Sequence, residues 1–424
     1  MKVGIWIEEI PKTTGGGYSY HDALINLIDK YEFSSEIEIV FLFEKKLLFT
    51  SFIKNYLQIK YPIYLRLGFL FMIPFTFLFS GKTRRTLNKF VKKVTLDRYL
   101  LNMLHLNSIN IIYYPHQRYC RLDNYPFIAS NWDIGHLSCY GFPEFIIKGE
   151  FEYRDYWYNQ EIYKAQAIFV ESATGKNELL KFSRLREDKI KIIHLHSGNY
   201  IEGNKSKTKL YDRLEPFKYF FYPAQFWPHK NHYNLLLAFK IINSKFPDYK
   251  LVLTGADKGN LSYIKETIET LNLDSNVIYL GFVENGMINE LYKNATALVM
   301  PTFLGPTNMP LLEARGLNCP VLCSDLNGHR EQLGDGALYF DMKNQYEIAS
   351  CMEQIIDNEF RINLLKKAEI EMQNSPFKHS TAIKEFEKAI LDINQYRRCW
   401  KNNNTAFQKN LKKHLLKSWM KYFL

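Results

Sequence analysis

The residues with the plainest chemical potential lie in the stretch YFFYPAQFWPHKNHYNLLLAF, 219–239. An aromatic run suited to a strand meets the apolar spacing of a helix, and the turn between them holds Trp227, Pro228, His229, Lys230 and His232. A lysine just past a strand and just before a helix can join the helix N-terminal amides in facing an anion. The stretch MPTFLGPTNMPLLEARGLNCPVLCSD, 300–325, offers a second turn of the same kind. A strand over 297–300 leads into a loop with Gly305, Thr307 and Asn308, and Pro310 opens a helix carrying Glu313. Proline at the first helical position, with cap-type residues ahead of it, fits a helix start whose N–H groups point into a cleft. Glu313 falls one residue past the capping-box position, which is Leu312.

A third turn, TTGGGYSYHDAL, sets Gly15, Gly16 and Gly17 between the first strand and a helix. It either lets a phosphate or sugar approach the backbone or is a tight turn that needs positive φ. The spacing is not GxGxxG with a downstream acid, which disfavours a dinucleotide dehydrogenase. His229 and His232 flank Lys230 and Asn231 without the further ligands a metal site needs, and read as cleft-lining or structural. Charge growing on a departing phosphate is stabilised by a metal or by fixed positive groups and amides. With no Asp-x-Asp in the chain, the expectation is Lys230 and a helix start, with no metal and no cofactor.

The elements that must position these turns are strands alternating with helices. Candidate strands are VGIWI near the start, NIIYY (110–114), FIAS (127–130), AIFV (167–170) and IKIIHL (190–195). After a polar break at 197–210 the alternation restarts with YFFY, KLVLTG, VIYLGF, ALVMP, PVLCSD and ALYF. Short, near-continuous apolar strands separated by helices predict parallel sheets covered on both faces. A chain of 424 residues exceeds one ordinary core, so two doubly wound lobes joined near residue 205 are expected, with ligands beyond the carboxyl ends of their strands.

Composition narrows the class. Apolar residues at 46% and aromatics at 16% are ample for burial, and a formal charge of +11 attracts anions without choosing among them. No nucleic-acid recognition motif accompanies that charge. The six cysteines include no CxxC and read as reduced thiols of a cytosolic protein. The N-terminus reads as a first strand and not a signal peptide. The apolar run LGFLFMIPFTFLF, 67–79, is too short to cross a bilayer and contains Pro74.

PAQFWPHKNHYNLL, LVLTG, VIYLGFV, GPTNMPLLEARGLNCPVLCSD and GALYFD resemble, in order and spacing, the C-terminal lobe of the retaining GT-B glycosyltransferases of family four. In the first half, SNWDIGHLSCYGFPEF and FEYRDYWYNQEIYKAQAIFVESATGKNEL are similar to segments of a bacterial surface-polysaccharide subgroup. The resemblance spans about residues 1 to 390. It implies an α/β GT-B fold of two Rossmann-like lobes facing a cleft: an acceptor lobe over 1–205, a nucleotide-sugar lobe over 206–385, and a segment 386–424 that crosses back and ends in a basic tail. It implies that Lys230 contacts the donor diphosphate, that Glu313 bonds the nucleotide ribose, that backbone amides of Thr307, Asn308 and Met309 face the diphosphate, and that Gly16 and Gly17 form the N-terminal loop at the cleft. The first glutamate of the family pair is Gly305 here, and the arginine often placed ahead of the lysine is Gln225. Trp132 stands beside Asp133 where the family has a histidine that contacts the donor sugar; His136 is assigned that role instead.

The resemblance implies transfer of a hexose or deoxyhexose from a nucleotide-sugar to a glycan or lipid-linked acceptor with retention of configuration. The acceptor hydroxyl attacks from the leaving-group face and passes its proton to a phosphate oxygen, so no separate base is demanded. The competing reading, suggested by Gly305, is a non-catalytic nucleotide-sugar-binding subunit of a glycosyltransferase complex. Two features hint at an anionic membrane surface. The apolar run at 67–79 is followed by GKTRRTLNKFVKK, and FQKNLKKHLLKSWMKYFL (407–424) has Leu411, Leu415, Trp419 and Phe423 at helical spacing with lysines on another sector. That tail either lies on a leaflet or packs on the first lobe. The expected location is cytoplasmic and peripheral on the inner face of the plasma membrane.

Overall fold

The computed structural model describes residues 1–8, 16–44, 53, 55–76, 87, 91, 96–117, 119–197, 214–283 and 285–399. Two all-parallel sheets form, each with helices on both faces. The first comprises β1 (Lys2–Trp6), β2 (Glu38–Phe43), β3 (Tyr56–Gln58), β4 (Ile111–Tyr114), β5 (Phe127–Asn131), β6 (Ala167–Val170) and β7 (Ile190–Ile192) in the order β3-β2-β1-β4-β5-β6-β7. The second comprises β8 (Tyr219–Pro223), β9 (Lys250–Thr254), β10 (Val277–Tyr279), β11 (Ala297–Met300), β12 (Val321–Ser324) and β13 (Leu338–Phe340) in the order β10-β9-β8-β11-β12-β13. This is the GT-B architecture expected from the sequence. Strands β2 and β3, absent from the sequence reading, extend the first sheet outward from β1.

Strand composition explains the layering. Phe220, Phe221, Leu251, Val252, Leu298 and Val299 are all fully buried, which alternating strands with one wet face do not allow. In each sheet the chain first builds outward from a central strand and then returns to its other side. The reversal lies between β1 and β4 in the first sheet and between β8 and β11 in the second. At such a switch point the two connections leave in opposite directions and a crevice opens beyond the carboxyl ends. The β8–β11 ladder shows it directly: Ala297 pairs with Phe220 and Leu298 with Phe221, and pairing stops short of both carboxyl ends.

Helix α1 (Gly16–Lys30) follows the glycine-bearing turn after β1, of which Gly15 lies outside the described residues. Helix α2 (Ile63–Thr76) carries most of the apolar run, ending within 14 residues. Among the described residues no helix is long and apolar enough to cross a membrane. The last described helix, α13 (His379–Arg397; numbering along the chain), packs on the first sheet. Its Phe386 is fully buried, with ring centroids 5.5 Å from Tyr113 and 5.7 Å from Phe169. The basic tail at 401–424 lies outside the described residues.

Removing a fully buried ring from a site that cannot collapse costs about 3–5 kcal/mol. Phe386→Ala is therefore expected to destabilise the first lobe by that amount in urea unfolding followed by tryptophan fluorescence. An unchanged unfolding midpoint would mean that α13 does not hold this lobe together.

Candidate active site

The turn after β8 is built by buried polar side chains. Tyr222, at the end of the strand, donates its hydroxyl to the Lys230 carbonyl at 2.8 Å. Asn231 takes the left-handed conformation (φ 59°, ψ 39°) that ends the short 3-10 turn Pro228–Lys230 and starts helix α6 (His232–Lys245). Asparagine tolerates that backbone because its short side chain can bond locally, and here Nδ2 donates to Pro301 O and Met342 O, both at 2.8 Å. His232 is buried and stacked on Phe226 (centroids 4.3 Å, 15° between planes), a structural part rather than a cleft wall.

The turn after β11 leads into α9 (Met309–Gly316), with Asn308 at the cap position and Pro310 in the first turn. The two turns lock together. Lys230 Nζ donates to Asn308 Oδ1 at 3.2 Å. Asn308 Nδ2 lies 2.9 Å from His329 Nε2, and His329 Nδ1 lies 2.8 Å from Ser324 O. Burial holds the His329 imidazole down at about 4. It is therefore neutral, donating from Nδ1 and accepting at Nε2, and this fixes which way the Asn308 amide faces. The amide N–H of Asn308 donates to Gln332 Oε1 at 2.8 Å, while Gln332 Nε2 donates back to Asn308 O. The expectation that this amide faces a phosphate is corrected: it is turned inward to α10 (Asn327–Leu333), on which Gln332 sits.

Gly305 has φ +149°, and a Cβ built there would lie 1.9 Å from Asn308 Nδ2. The position cannot carry a glutamate while Asn308 holds Lys230. The absent first carboxylate is thus part of how this loop is constructed.

A cleft of about 1890 Å³ runs between the lobes, roomier than a single small-ligand pocket of about 300–1000 Å³. Gly16, Gly17, Gln225, Lys230, Gly305, Thr307, Asn308, Met309 and Glu313 all border it. His136 does not: it is fully buried, stacked on Tyr158 at 5.1 Å with Phe151 across its edge. The donor-sugar role given to His136 is therefore corrected, because the ring packs beneath the first-lobe wall. Trp132 and Asp133 border the cleft instead.

Three carboxyls shape the electrostatics. Glu313 is pushed up to about 7 by burial, against the pull of the Tyr292 hydroxyl that donates to it at 3.0 Å. Glu171, just past β6, is pushed up to about 8 by burial, and Thr307 Oγ1 donates to it across the cleft at 2.6 Å. Glu144 is raised by burial, but hydrogen bonds from His229 outweigh that and hold it below its usual value. Burial also lowers His229, so this contact joins a neutral imidazole to a carboxylate. Lys230 is pulled down to about 8 by burial, with Asp133 and Glu144 opposing. The lobes touch further where Glu331 of α10 accepts from the Ala173 and Thr174 amides at 2.7 and 2.8 Å. Sequence reasoning missed Glu171, Glu144 and His329. The first sits immediately after a recognised strand, where the same strand-end rule pointed; the other two carry no spacing signal.

Residues 207–373 match the family model described as glycosyl transferases group 1. The second lobe is therefore similar to the group 1 glycosyl transferases over that stretch. The O-antigen chain mannosyltransferase RfbU of Salmonella typhimurium is 26% identical over 203 residues, covering 47% of this chain and 54% of that one. The O-antigen chain mannosyltransferase B of Escherichia coli is 25% identical over 237 residues, covering 54% and 61%. The chain thus spans little more than half the length of these relatives. Among solved structures, Anabaena Alr3699/HepE in complex with UDP and glucose superposes with a TM-score of 0.64 at 14% identity, covering 92% of this chain and 99% of that one. WaaG, a glycosyltransferase involved in lipopolysaccharide biosynthesis, gives 0.62 at 13% identity, covering 90% and 98%. At these identities the superpositions establish the shared fold.

A side chain at 305 must strain a glycine-only backbone and displace Asn308, so Gly305→Ala is expected to cost about 1–3 kcal/mol of second-lobe stability in urea unfolding. Stability equal to the parent's would show that the loop is not held as described.

Proposed function

We propose that this protein is a retaining glycosyltransferase that moves a hexose or deoxyhexose from a nucleotide-sugar to a glycan or lipid-linked acceptor in cell-surface polysaccharide synthesis. The observation that carries this is the single wall formed at the second-lobe switch point. There Lys230, the start of α9 and Glu313 border one cleft, which puts a cation, a helix N-terminus and a carboxyl on the same wall. The relatives' names, both O-antigen mannosyltransferases, support the polysaccharide setting.

In this reading the Lys230 ammonium and the amides of Thr307 and Met309 take up the negative charge that grows on the diphosphate as the sugar C1–O bond breaks. Fixed charge and amides supply this without a metal. Glu313 accepts from the ribose hydroxyls. The acceptor oxygen enters on the face the diphosphate leaves, forms the new C1–O bond, and gives its proton to a phosphate oxygen. Glu171 and Asp133 of the first lobe stand opposite, placed to hold sugar hydroxyls. The enzyme works at the inner face of the plasma membrane.

Incubating the full chain with UDP-, GDP-, ADP-, dTDP- and CMP-sugars should release nucleotide from one donor, and Lys230→Ala should slow that release about 100-fold or more. If no donor is consumed with or without acceptors while one still stabilises the fold, the protein is a nucleotide-sugar-binding subunit.

Nucleoside diphosphate affinity should also be bell-shaped in pH. Below about 7 the Glu313 carboxylate takes up a proton and loses its pull on the ribose; above about 8 Lys230 sheds the charge that binds phosphate. Titration calorimetry should show the acid limb flattened in Glu313→Gln and the alkaline limb reduced in Lys230→Met. Limbs that persist unchanged in both variants would remove these two residues from the site.

A further inference from the structure

The loop after β9 is built against the turn after β8. Gly255, the first residue past β9, has φ +139°, and a Cβ there would lie 2.3 Å from Ala224 O, so only a glycine lets the two backbones come this close. Just beyond, the Phe226 amide donates to Ala256 O at 3.0 Å, and Phe226 forms a parallel bridge with Asp257. These contacts set Lys258 beside Trp227, with its Nζ 5.8 Å from the centre of the indole ring. The Lys230 amide donates to Trp227 O at 3.0 Å, so one short turn carries Lys230 and braces Lys258.

Lys258 is half-buried and borders the same cleft as Lys230. Among the described residues no carboxylate pairs with its ammonium. Asp257, its neighbour in the chain, is engaged elsewhere, accepting from the Gly259 and Leu261 amides at 2.7 and 3.2 Å. Of the described second-lobe residues that border the cleft, the lysines are Lys230 and Lys258. Arg154, on the opposite wall, is paired with Glu150 and Asp133. Gln225 brings no charge, and its Oε1 accepts from Trp227 Nε1 at 3.2 Å. The diphosphate of a nucleotide-sugar is ionised at both phosphates, which one ammonium and a helix start worth about half a charge do not balance.

We infer that Lys258 is a second cation for the donor diphosphate, supplying from the loop after β9 the charge that Gln225 lacks. Trp227 is its positioning residue. An indole face holds an ammonium only weakly, and a phosphate oxygen bonds it more strongly, so the lysine is kept near the cleft until an anion takes it over. The inference rests on the proposed function, because it adds a residue to the same donor site.

The test is titration calorimetry of the full chain with UDP, GDP, ADP and dTDP, and with inorganic pyrophosphate, which has no base, each at low and raised salt. Lys258→Met is expected to weaken the tightest-binding nucleoside diphosphate about tenfold. It should weaken pyrophosphate by a similar factor and flatten the salt dependence of both. Lys258→Arg should restore binding, because it returns the charge. Trp227→Ala should weaken binding less, and adding it to Lys258→Met should cost little more, as expected of a ring that acts through the lysine. Thermal melting of the Lys258 variants should match the parent's, since the side chain lies in a loop and bonds no buried group. Diphosphate binding by Lys258→Met as tight as the parent's overturns the inference. So does a loss confined to the nucleoside diphosphate, with pyrophosphate binding and salt dependence intact, which would place Lys258 at the base instead. If the parent binds none of the diphosphates, the proposed function falls and the inference with it; if the parent binds and Lys258→Met is unchanged, the inference alone falls.

Discussion

The structure turns on holding one ammonium group where water cannot fully solvate it. Lys230 sits in the turn that follows β8, and among the described residues its side chain bonds only to a neutral amide oxygen, that of Asn308. A charge so placed is costly until an anion arrives. Its cost is tolerated because both turns are rigid: Tyr222 and Asn231 hold one, while His329 and Gln332 hold the other. Each of those groups is buried, and each bonds to backbone or amide, so the ammonium has little freedom to swing away.

The same rigidity explains the departure at Gly305. A carboxylate there would compete with Asn308 for space and would neutralise the neighbouring ammonium. The loop instead brings Thr307 to Glu171 on the opposite lobe, so that a carboxyl reaches the cleft from the first sheet. Glu144 reaching His229 and Glu331 reaching the Ala173 and Thr174 amides add directional polar contacts to an interface where Phe142 also packs on Phe303 and Met309 joins the first-lobe core. Contacts of this kind position two lobes without welding them, since polar interfaces are exchanged for water at small net cost.

The sequence by itself determined the two parallel sheets, because runs such as YFFY and ALVM are apolar on both sides and only a sheet covered on both faces buries them. It also determined where to look. Lys230, Glu313 and the Gly305–Met309 loop follow strand ends, and periodicity locates strand ends even when it misplaces helix starts by a residue. Beyond local pattern the sequence was silent. That the Asn308 amide turns to Gln332, that His136 disappears beneath Tyr158, and that Glu171 faces Thr307 from 136 residues away all depend on distances between segments remote in the chain.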